Sequence, residues 1–268
     1  MSQGQKVIKY LAISLAFLII FSIVYGAYSL VVTIVSSFTD DTIIDRDIID
    51  DEDNINSKYL KIELVSSELL IQEGERFLVN TDNKYVNVVQ DGDRVVVKEK
   101  PHLSIDPDKN LVKVTVPKDF SFDKVDISGG AGKIKINRIL SKILNLDLGA
   151  GLLEIDYLDI GKVTKIEGGA GKILIRDGRM NNLNLDIGAG SVEVTGWILG
   201  DSEIDSGVGK LVVNLTGVVD DYQISLDKGI GAIKYNNSEV SKNRVIGTGR
   251  NKLEIDGGIG TIDVFVSE

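Results

Sequence analysis

The chain has 268 residues, a formal net charge of −10 at neutral pH and no cysteine. Without cysteine there is no disulfide framework, no thiolate metal site and no thiol nucleophile. The acidic balance argues against nucleic acid as a partner, because phosphate binding needs a basic surface. His102 is the only histidine, which excludes histidine-based catalytic triads and metal sites with several histidines.

An uncharged segment near the N-terminus predicts a membrane anchor. Residues 10–38 contain no charged side chain, and about 20 apolar residues suffice to cross the hydrocarbon core of a bilayer. A cleavable signal peptide is the alternative, but its apolar core usually covers only ~7–15 residues. We therefore expect a cytoplasmic tail over residues 1–9 and one transmembrane helix over residues 10–36.

The charges that flank this segment predict its orientation. Lys6 and Lys9 precede it, and positive residues are retained in the cytoplasm. After it, residues 39–57 contain eight carboxylates and one arginine, a net charge of −7. This stretch lacks the ordered oxygen ligands and turn glycine of a calcium loop. We predict a solvated acidic linker over residues 37–58 and an exterior domain over residues 59–268.

Residues 59–124 predict strands without a repeat signature. Apolar residues alternate with polar ones over 60–64, 94–98 and 111–117, a period typical of half-buried strands. Asp91, Gly92 and Asp93 indicate a hairpin turn. Because the terminal units of repeat proteins usually differ from the internal ones, this segment is predicted to be an N-terminal cap with the first coils.

Residues 125–268 contain a repeated Gly-x-Gly unit, each copy followed by an alternating apolar stretch. The intervals between the seven first glycines are 19, 20, 19, 19, 22 and 29 residues, which is typical of stacked repeats. The repeat glycines are Gly130 and Gly132, Gly149 and Gly151, Gly169 and Gly171, Gly188 and Gly190, Gly207 and Gly209, Gly229 and Gly231, and Gly258 and Gly260.

The alternation around each glycine pair predicts strand, bend and strand, with Ile, Leu and Val inward. One such unit cannot bury its apolar row alone, so successive coils are expected to stack at ~4.8 Å. Glycine is expected at the bend because coils crowd there and the backbone requires a positive φ. Two coil lengths fit, 19–20 residues or 39 residues per turn, since residues 129–134 recur as 168–173. The tail Asp263–Glu268 is expected to end the stack.

The motifs offer no evident chemistry. A phosphate-binding glycine loop opens a helix, whereas every glycine pair here opens a strand. Calcium rolls need an aspartate where this chain has Ile134 and Ile173. Outward acids and lysines predict a solvated ladder, and Trp197, Tyr222 and Tyr235 are expected as scattered aromatics, with the two tyrosines exposed. We predict no catalytic, cofactor-binding or metal-binding residue. The ladder residues are Asp126, Asp147, Glu154, Glu167, Asp186, Glu193 and Asp205 with Lys133, Lys135, Lys172 and Lys210.

Three segments together resemble a known family. Residues 112–120, 125–134 and 249–262 are similar to the bacterial domain of unknown function labelled "putative adhesin", over residues 59–268. The resemblance implies a right-handed β-solenoid, similar to a parallel β-helix, on the outer face of a bacterial membrane. It implies no catalytic residues.

These observations predict an all-β solenoid of 19–20-residue coils preceded by one transmembrane helix. The predicted role is a non-enzymatic adhesion, scaffold or interaction module of the cell envelope, on a single-pass protein with a cytoplasmic N-terminus. Two alternatives are open: a stress-response accessory that binds a membrane partner through residues 236–251, and a module that binds cell-wall carbohydrate. The expected partners are the membrane and an envelope protein or cell-wall polymer.

Overall fold

The computed structural model describes residues 47–50, 58–101 and 110–267. The predicted tail, the anchor, His102 and most of the acidic linker lie outside these residues. Within them, no helix is long and apolar enough to cross a membrane. The strands in chain order are β1 Asp47–Asp50, β2 Tyr59–Leu64, β3 Glu68–Gly74, β4 Leu78–Thr81, β5 Val86–Asp91, β6 Arg94–Glu99, β7 Leu111–Pro117, β8 Ser121–Ile175, β9 Gly178–Asn181, β10 Leu183–Leu199, β11 Asp201–Thr216, β12 Tyr222–Tyr235, β13 Ser238–Glu239, β14 Arg244–Ile246 and β15 Asn251–Ser267.

The chain winds into stacked parallel coils, as the repeat predicts. Asn184 in β10 pairs with Lys165 on one side and with Glu203 on the other, 19 residues away in each direction. The coil is therefore about half of the alternative 39-residue turn. Strand geometry continues through the glycine bends, which is why β8 runs unbroken from residue 121 to residue 175.

The core lies inside the coils and is built from aligned apolar side chains. Parallel in-register pairing places each inward residue over its equivalent in the next coil. One such column is almost fully buried: Ile166, Leu185, Ile204, Ile255 and Leu226. Burying a side chain of this size stabilises the fold by about 1.5–3 kcal/mol, so the core rests on many equivalent small contributions.

The coils do not stack in chain order at the end that holds the last repeats. Strand β15 pairs in parallel with β11 along one edge and with β12 along the other. The chain thus leaves β11, skips one position, forms the outer coil β12 and returns to fill the gap. The prediction that Asp263–Glu268 ends the stack is wrong, because β15 lies one coil inside it. The 29-residue interval between Gly229 and Gly258 contains the return path.

At the opposite end of the stack the coils are also out of chain order, with the earlier strands inside the later ones. Strands β2 and β3 form a coil that lies between β8 on one side and the coil of β6 and β7 on the other. The outer coil is covered by antiparallel strands, β5 on β6 and β4 on β7, with β1 on β4. At the far end, β13 and β14 cover β12 in the same way. Antiparallel cover leaves less open sheet edge for unwanted pairing.

The Gly-x-Gly bends of successive coils lie one over another, and we call this stack the bend column. A charged side chain binds the backbone groups at each end of it. Burial leaves Glu99 2 % exposed, and its carboxylate accepts hydrogen bonds from the backbone N–H groups of Val65, Ser66 and Ser67 at 2.7, 3.0 and 3.1 Å. At the far end, the Lys242 ammonium donates to the carbonyl of Gly229. An acid therefore meets the N–H end of the column and a base meets its carbonyl end, as at the two ends of a helix.

Candidate functional site

The structure places the repeat glycines in two columns along one corner of the stack. A Cβ on Gly149 would overlap the carbonyl oxygen of Gly130, and one on Gly151 would lie even closer to that of Gly132. The second glycine of every copy also has a φ between +127° and +148°. The first glycines show no such φ, so close approach alone explains them, whereas both causes apply to the second. These residues build the bend and leave the neighbouring strands to present side chains.

The strand that precedes each bend exposes two columns of polar side chains, which we call the polar face. Parallel pairing brings equivalent positions of consecutive coils to ~4.8 Å from one another. In spatial order, the column farther from the bend contains Lys61, Asp126, Asn145, Lys165, Asn184, Glu203, Glu254 and Ser225. The column nearer the bend contains Glu63, Ser128, Asp147, Glu167, Asp186, Asp205, Asp256 and Asp227.

One half of the polar face is strongly acidic. Six consecutive coils place a carboxylate at the same position, starting at Asp147, and the last five form an acidic ladder of Glu167, Asp186, Asp205, Asp256 and Asp227. In the described part of the chain, no cation forms an ion pair with Asp186, Asp205 or Asp256. Because β15 lies between β11 and β12, the neighbour of Asp205 in the ladder is Asp256. Chain order alone would place Asp227, not Asp256, beside Asp205.

The electrostatics of Asp205 reflect this crowding. Partial burial raises the pKa of the Asp205 carboxyl, and the negative charges of Glu203, Asp256, Asp186 and Glu254 raise it further. Like charges placed directly opposite each other on neighbouring strands destabilise a sheet. The like charges along this face therefore destabilise the folded state, and burial of the stacked core offsets this cost.

The other half of the polar face forms an open groove of about 300 Å³. Its charged and polar side chains come from four coils: Lys61, Asp126, Ser128, Asn145, Asp147, Lys165 and Glu167. Both signs of charge are present, unlike in the acidic ladder. The groove and the ladder are continuous through Glu167.

Most charged groups of the groove are paired within the protein. Lys165 Nζ lies 2.9 Å from a Glu167 carboxylate oxygen, and this neighbour raises the pKa of the lysine. Asn145 Nδ2 donates to Asp126 Oδ1 at 2.7 Å, and Lys124 binds the other Asp126 oxygen at 2.8 Å. The Asp147 carboxylate has no hydrogen-bond or ion-pair partner among the described residues. It is therefore the carboxylate of the groove best placed to accept a hydrogen bond from a ligand.

Lys133 corrects the prediction of a uniformly solvated ladder. Its side chain is buried, and its Nζ lies 3.7 Å from Glu154. Arg176 binds Glu154 from the next coil. Burial lowers the pKa of Lys133, while the charge of Glu154 opposes this shift. These groups tie neighbouring coils together and do not face a ligand.

Within residues 58–101 and 110–267, the aromatic side chains do not form a stacking platform. Tyr222 is fully buried, and its hydroxyl donates to the carbonyl of Thr216 at 2.5 Å. This burial raises the pKa of Tyr222 to about 12. Tyr235 is half-buried against the core. The expectation that these two tyrosines are exposed is wrong, because both lie in the outer coil β12 and pair with β15, Tyr222 with Asn251 and Tyr235 with Val264.

Titratable groups of the polar face lie in rows and do not converge. Over residues 47–50, 58–101 and 110–267, no group of three or more His, Asp or Glu side chains is arranged to hold a metal ion. Parallel stacking explains this, because it sets equal side chains side by side along the axis. The arrangement suits contact with an extended surface.

Comparison with protein families decides the identity of this domain. The Toastrack DUF4097 family matches residues 52–257, more than half of the chain. The chain belongs to this family. The match covers the first coils, the glycine repeats, the outer coil β12 and the start of β15. The resemblance to a domain-of-unknown-function family labelled "putative adhesin" is confirmed.

Two solved structures are similar to this Toastrack chain. One is a putative cell adhesion protein from Clostridium sporogenes ATCC 15579, with 16 % identity, a TM-score of 0.39, and coverage of 84 % of this chain and 100 % of that one. The other is a putative adhesin from Bacteroides fragilis NCTC 9343, with 16 % identity, a TM-score of 0.34, and coverage of 84 % and 98 %. No curated protein matches the chain.

Proposed function

We propose that this Toastrack protein is a membrane-anchored module on the exterior of the cell that binds a partner and catalyses no reaction. The observation that supports this most is the polar face. Two straight columns of polar side chains run along a stack whose bends are fixed by glycine, so the face is rigid before any partner arrives. A preorganised surface loses little conformational entropy on binding.

The proposed anchor rests on the uncharged run of residues 10–38. A helix over 10–36, with Lys6 and Lys9 on the cytoplasmic side, leaves the coils outside. Strand β1 lies at the same end of the stack as β4 and β7. In this proposal that end lies nearest the membrane and β12 lies farthest from it. Adhesion, the activity in the names of the similar structures, is one form that such binding takes.

Crosslinking in intact cells tests this proposal. The full chain is given a photo-crosslinking residue at Asn184 or at Glu203, both exposed on the polar face. The matched control carries it at Arg179, which is also exposed but belongs to β9, outside the polar face. We expect the same adduct from both polar-face positions and not from the control. Equal labelling from all three positions, or none from the polar face, would contradict the proposal. Turnover of cell-wall glycans by the purified protein would contradict the non-enzymatic role.

Cell-wall carbohydrate is the second candidate, and the groove is the observation that favours it. Asp147 has no partner among the described residues, and Ser128 adds a hydroxyl beside it. The test is retention on isolated cell walls. Lys61→Glu with Lys165→Glu should abolish retention if the groove holds a polysaccharide. A charge reversal at Lys133 would not test this, because that side chain is buried. Retention that is unchanged in the double variant would exclude this candidate.

Residues 236–251 are the segment through which the stress-response alternative would bind a membrane partner. This segment also has a structural role, so deleting it does not test binding alone. Strands β13 and β14 in this segment cover β12, and Lys242 caps the carbonyl of Gly229. Deleting the segment would therefore damage the fold. Substitution of the exposed Ser238 and Glu239 separates the two effects. A membrane partner of this segment would be lost on their substitution, with no change in melting temperature.

A further inference from the structure

Strand β15 is bound along both of its edges, although it follows its neighbours in the chain. It pairs with β11 from Lys252 to Ser267 and with β12 from Asn251 to Val264. Its inward residues Leu253, Ile255, Ile262 and Val264 are almost fully buried. The space between β11 and β12 is thus a slot two strand spacings wide, roughly 9.6 Å, and β15 occupies it.

Without β15 this slot would be open. Among the strands that the structure describes, β11 and β12 do not pair with each other, and β12 pairs otherwise only with the short strands β13 and β14. An empty slot exposes two unpaired strand edges and a section of apolar core. Such edges are templates for any strand of matching pattern. The matching pattern belongs to β15 itself.

The connection to β15 is long and lies at the surface. Residues 236–250, fifteen residues between β12 and β15, are mostly exposed. Two parallel strands need a crossover of roughly a dozen residues or more, so this connection is only slightly longer than the minimum. A strand that enters the slot from another chain would make the same pairs, and only the path of the connection would differ.

We infer that the slot between β11 and β12 is a strand-acceptor site whose partner is β15 of a second copy of this chain. Two molecules exchange their β15 strands and join through the ends of their stacks that lie farthest from β1. Each slot keeps its pairs, its buried residues and its contiguous acidic ladder. Because the exchanged dimer makes the same strand pairs as two separate copies, mass action favours it where the local concentration of the chain is high.

Engineered cysteines test the exchange, because the chain has none of its own. Lys210 and Thr261 are exposed register partners across β11 and β15, at a spacing that a disulfide spans. One full-length chain carries Lys210→Cys and a differently tagged chain carries Thr261→Cys, and the two are co-expressed. In the control, Lys172→Cys replaces Thr261→Cys, since Lys172 never neighbours Lys210 in either arrangement.

We expect the mixed disulfide of the Lys210→Cys and Thr261→Cys chains to exceed the control pair at least several-fold. The two substitutions placed in one chain report whether the disulfide can close at all. If that single chain closes its bond and the mixed pair yields no more than the control, the exchange does not occur.

Shortening the connection provides an independent test. Removal of residues 247–250 spares β13, β14 and Lys242 and leaves eleven of the fifteen residues, below the roughly dozen residues of a parallel crossover. We expect a folded dimer whose fraction rises with protein concentration. A folded monomer at every concentration would overturn the inference. If the shortened chain does not fold, the mixed-disulfide comparison alone decides.

Discussion

The second glycine of each repeat unit combines two constraints at one residue. Gly151 has a φ of +140°, and a Cβ there would overlap the carbonyl oxygen of Gly132. Strained backbone alone costs about 1–3 kcal/mol, and the overlap adds to it because a carbonyl in a stacked coil cannot move aside. We therefore expect Gly151→Ala to lower the free energy of unfolding by more than ~2 kcal/mol, measured by urea denaturation.

Gly161 offers a matched control in the neighbouring coil segment. A Cβ there meets only atoms at 3.9 Å or more, in ordinary contact. Gly161→Ala should therefore change stability by less than ~1 kcal/mol and in the stabilising direction. Equal losses for Gly151→Ala and Gly161→Ala would show that the bend column is not the constraint.

Asp205 is expected to weaken the folded state at neutral pH. Its pKa is raised in the folded protein, so the fold gains stability as the pH falls through that value, down to the ordinary aspartate value of 3.8. Asp205→Asn should raise the free energy of unfolding by about 0.2–1 kcal/mol at pH 7. The gain should vanish near pH 3, where the wild-type carboxyl is protonated.

Asp126 occupies the polar face among favourable partners and provides the comparison. It binds Lys124 at 2.8 Å and Asn145 at 2.7 Å. We expect Asp126→Asn to be neutral or destabilising at pH 7, opposite in sign to Asp205→Asn. If both substitutions stabilise the protein equally, the effect reflects net charge and not the local ladder.

At the scale of elements, the two ends of the stack need charged groups because the bend column ends there. Burial alone raises the pKa of Glu99, but the backbone N–H groups of Ser66, Val65 and Ser67 outweigh it and hold the pKa below its usual value. The carboxylate therefore stabilises the fold above the unfolded glutamate pKa, and this contribution is lost as the pH falls through the folded value.

Glu99→Gln should cost about 1.5–3 kcal/mol at pH 7, because an amide replaces a carboxylate that accepts three backbone hydrogen bonds. The cost is measured by thermal or urea unfolding, and it should shrink at acidic pH. Glu75→Gln, at an exposed position, should change stability by less than ~0.5 kcal/mol. A pH-independent loss in Glu99→Gln would contradict the role assigned to its charge.

The position of β15 predicts which elements unfold together. Ile255 is fully buried in the centre of this strand, so Ile255→Asp should release β15 from the slot. Because β12 depends on β15 for its parallel partner, amides of both strands should lose protection in hydrogen exchange while those of β8 and β10 keep it. Thr261→Asp, exposed on the same strand, should leave protection unchanged. Loss confined to β15 would refute the coupling.

At the scale of the whole molecule, the sequence was sufficient to predict the structure of each repeated unit. The period of two and the 19–20-residue spacing of glycine pairs predict the coil, its inward residues and its bends. They do so because in each copy the backbone is crowded at the bend and the apolar side chains must be buried between coils. Val208 and Ile259 differ from Ala131 at the middle position of the unit, yet the flanking glycines keep the same bend.

The sequence could not predict the order of the coils, because β12 and β15 have the same pattern and compete for the same position. Only the length of residues 236–250 hints at a return path. The neighbour of Asp205 was missed for the same reason, since Asp256 and not Asp227 lies beside it only through that order. Glu99 was missed because three of its partners are backbone N–H groups and others, Ser66 Oγ and Asn83 Nδ2, lie far from it in the sequence.

The order of the coils is the central claim, because the slot and the position of Asp256 beside Asp205 depend on it. Two double-cysteine variants of the full chain test it most directly. Glu203 is a register partner of Glu254, and Ser225 lies one coil further away, roughly 9.6 Å from Glu203 and beyond the reach of a disulfide. We predict that Glu203→Cys with Glu254→Cys forms a disulfide under mild oxidation and that Glu203→Cys with Ser225→Cys does not. A disulfide in the second variant and none in the first would place β12 directly on β11 and contradict this account.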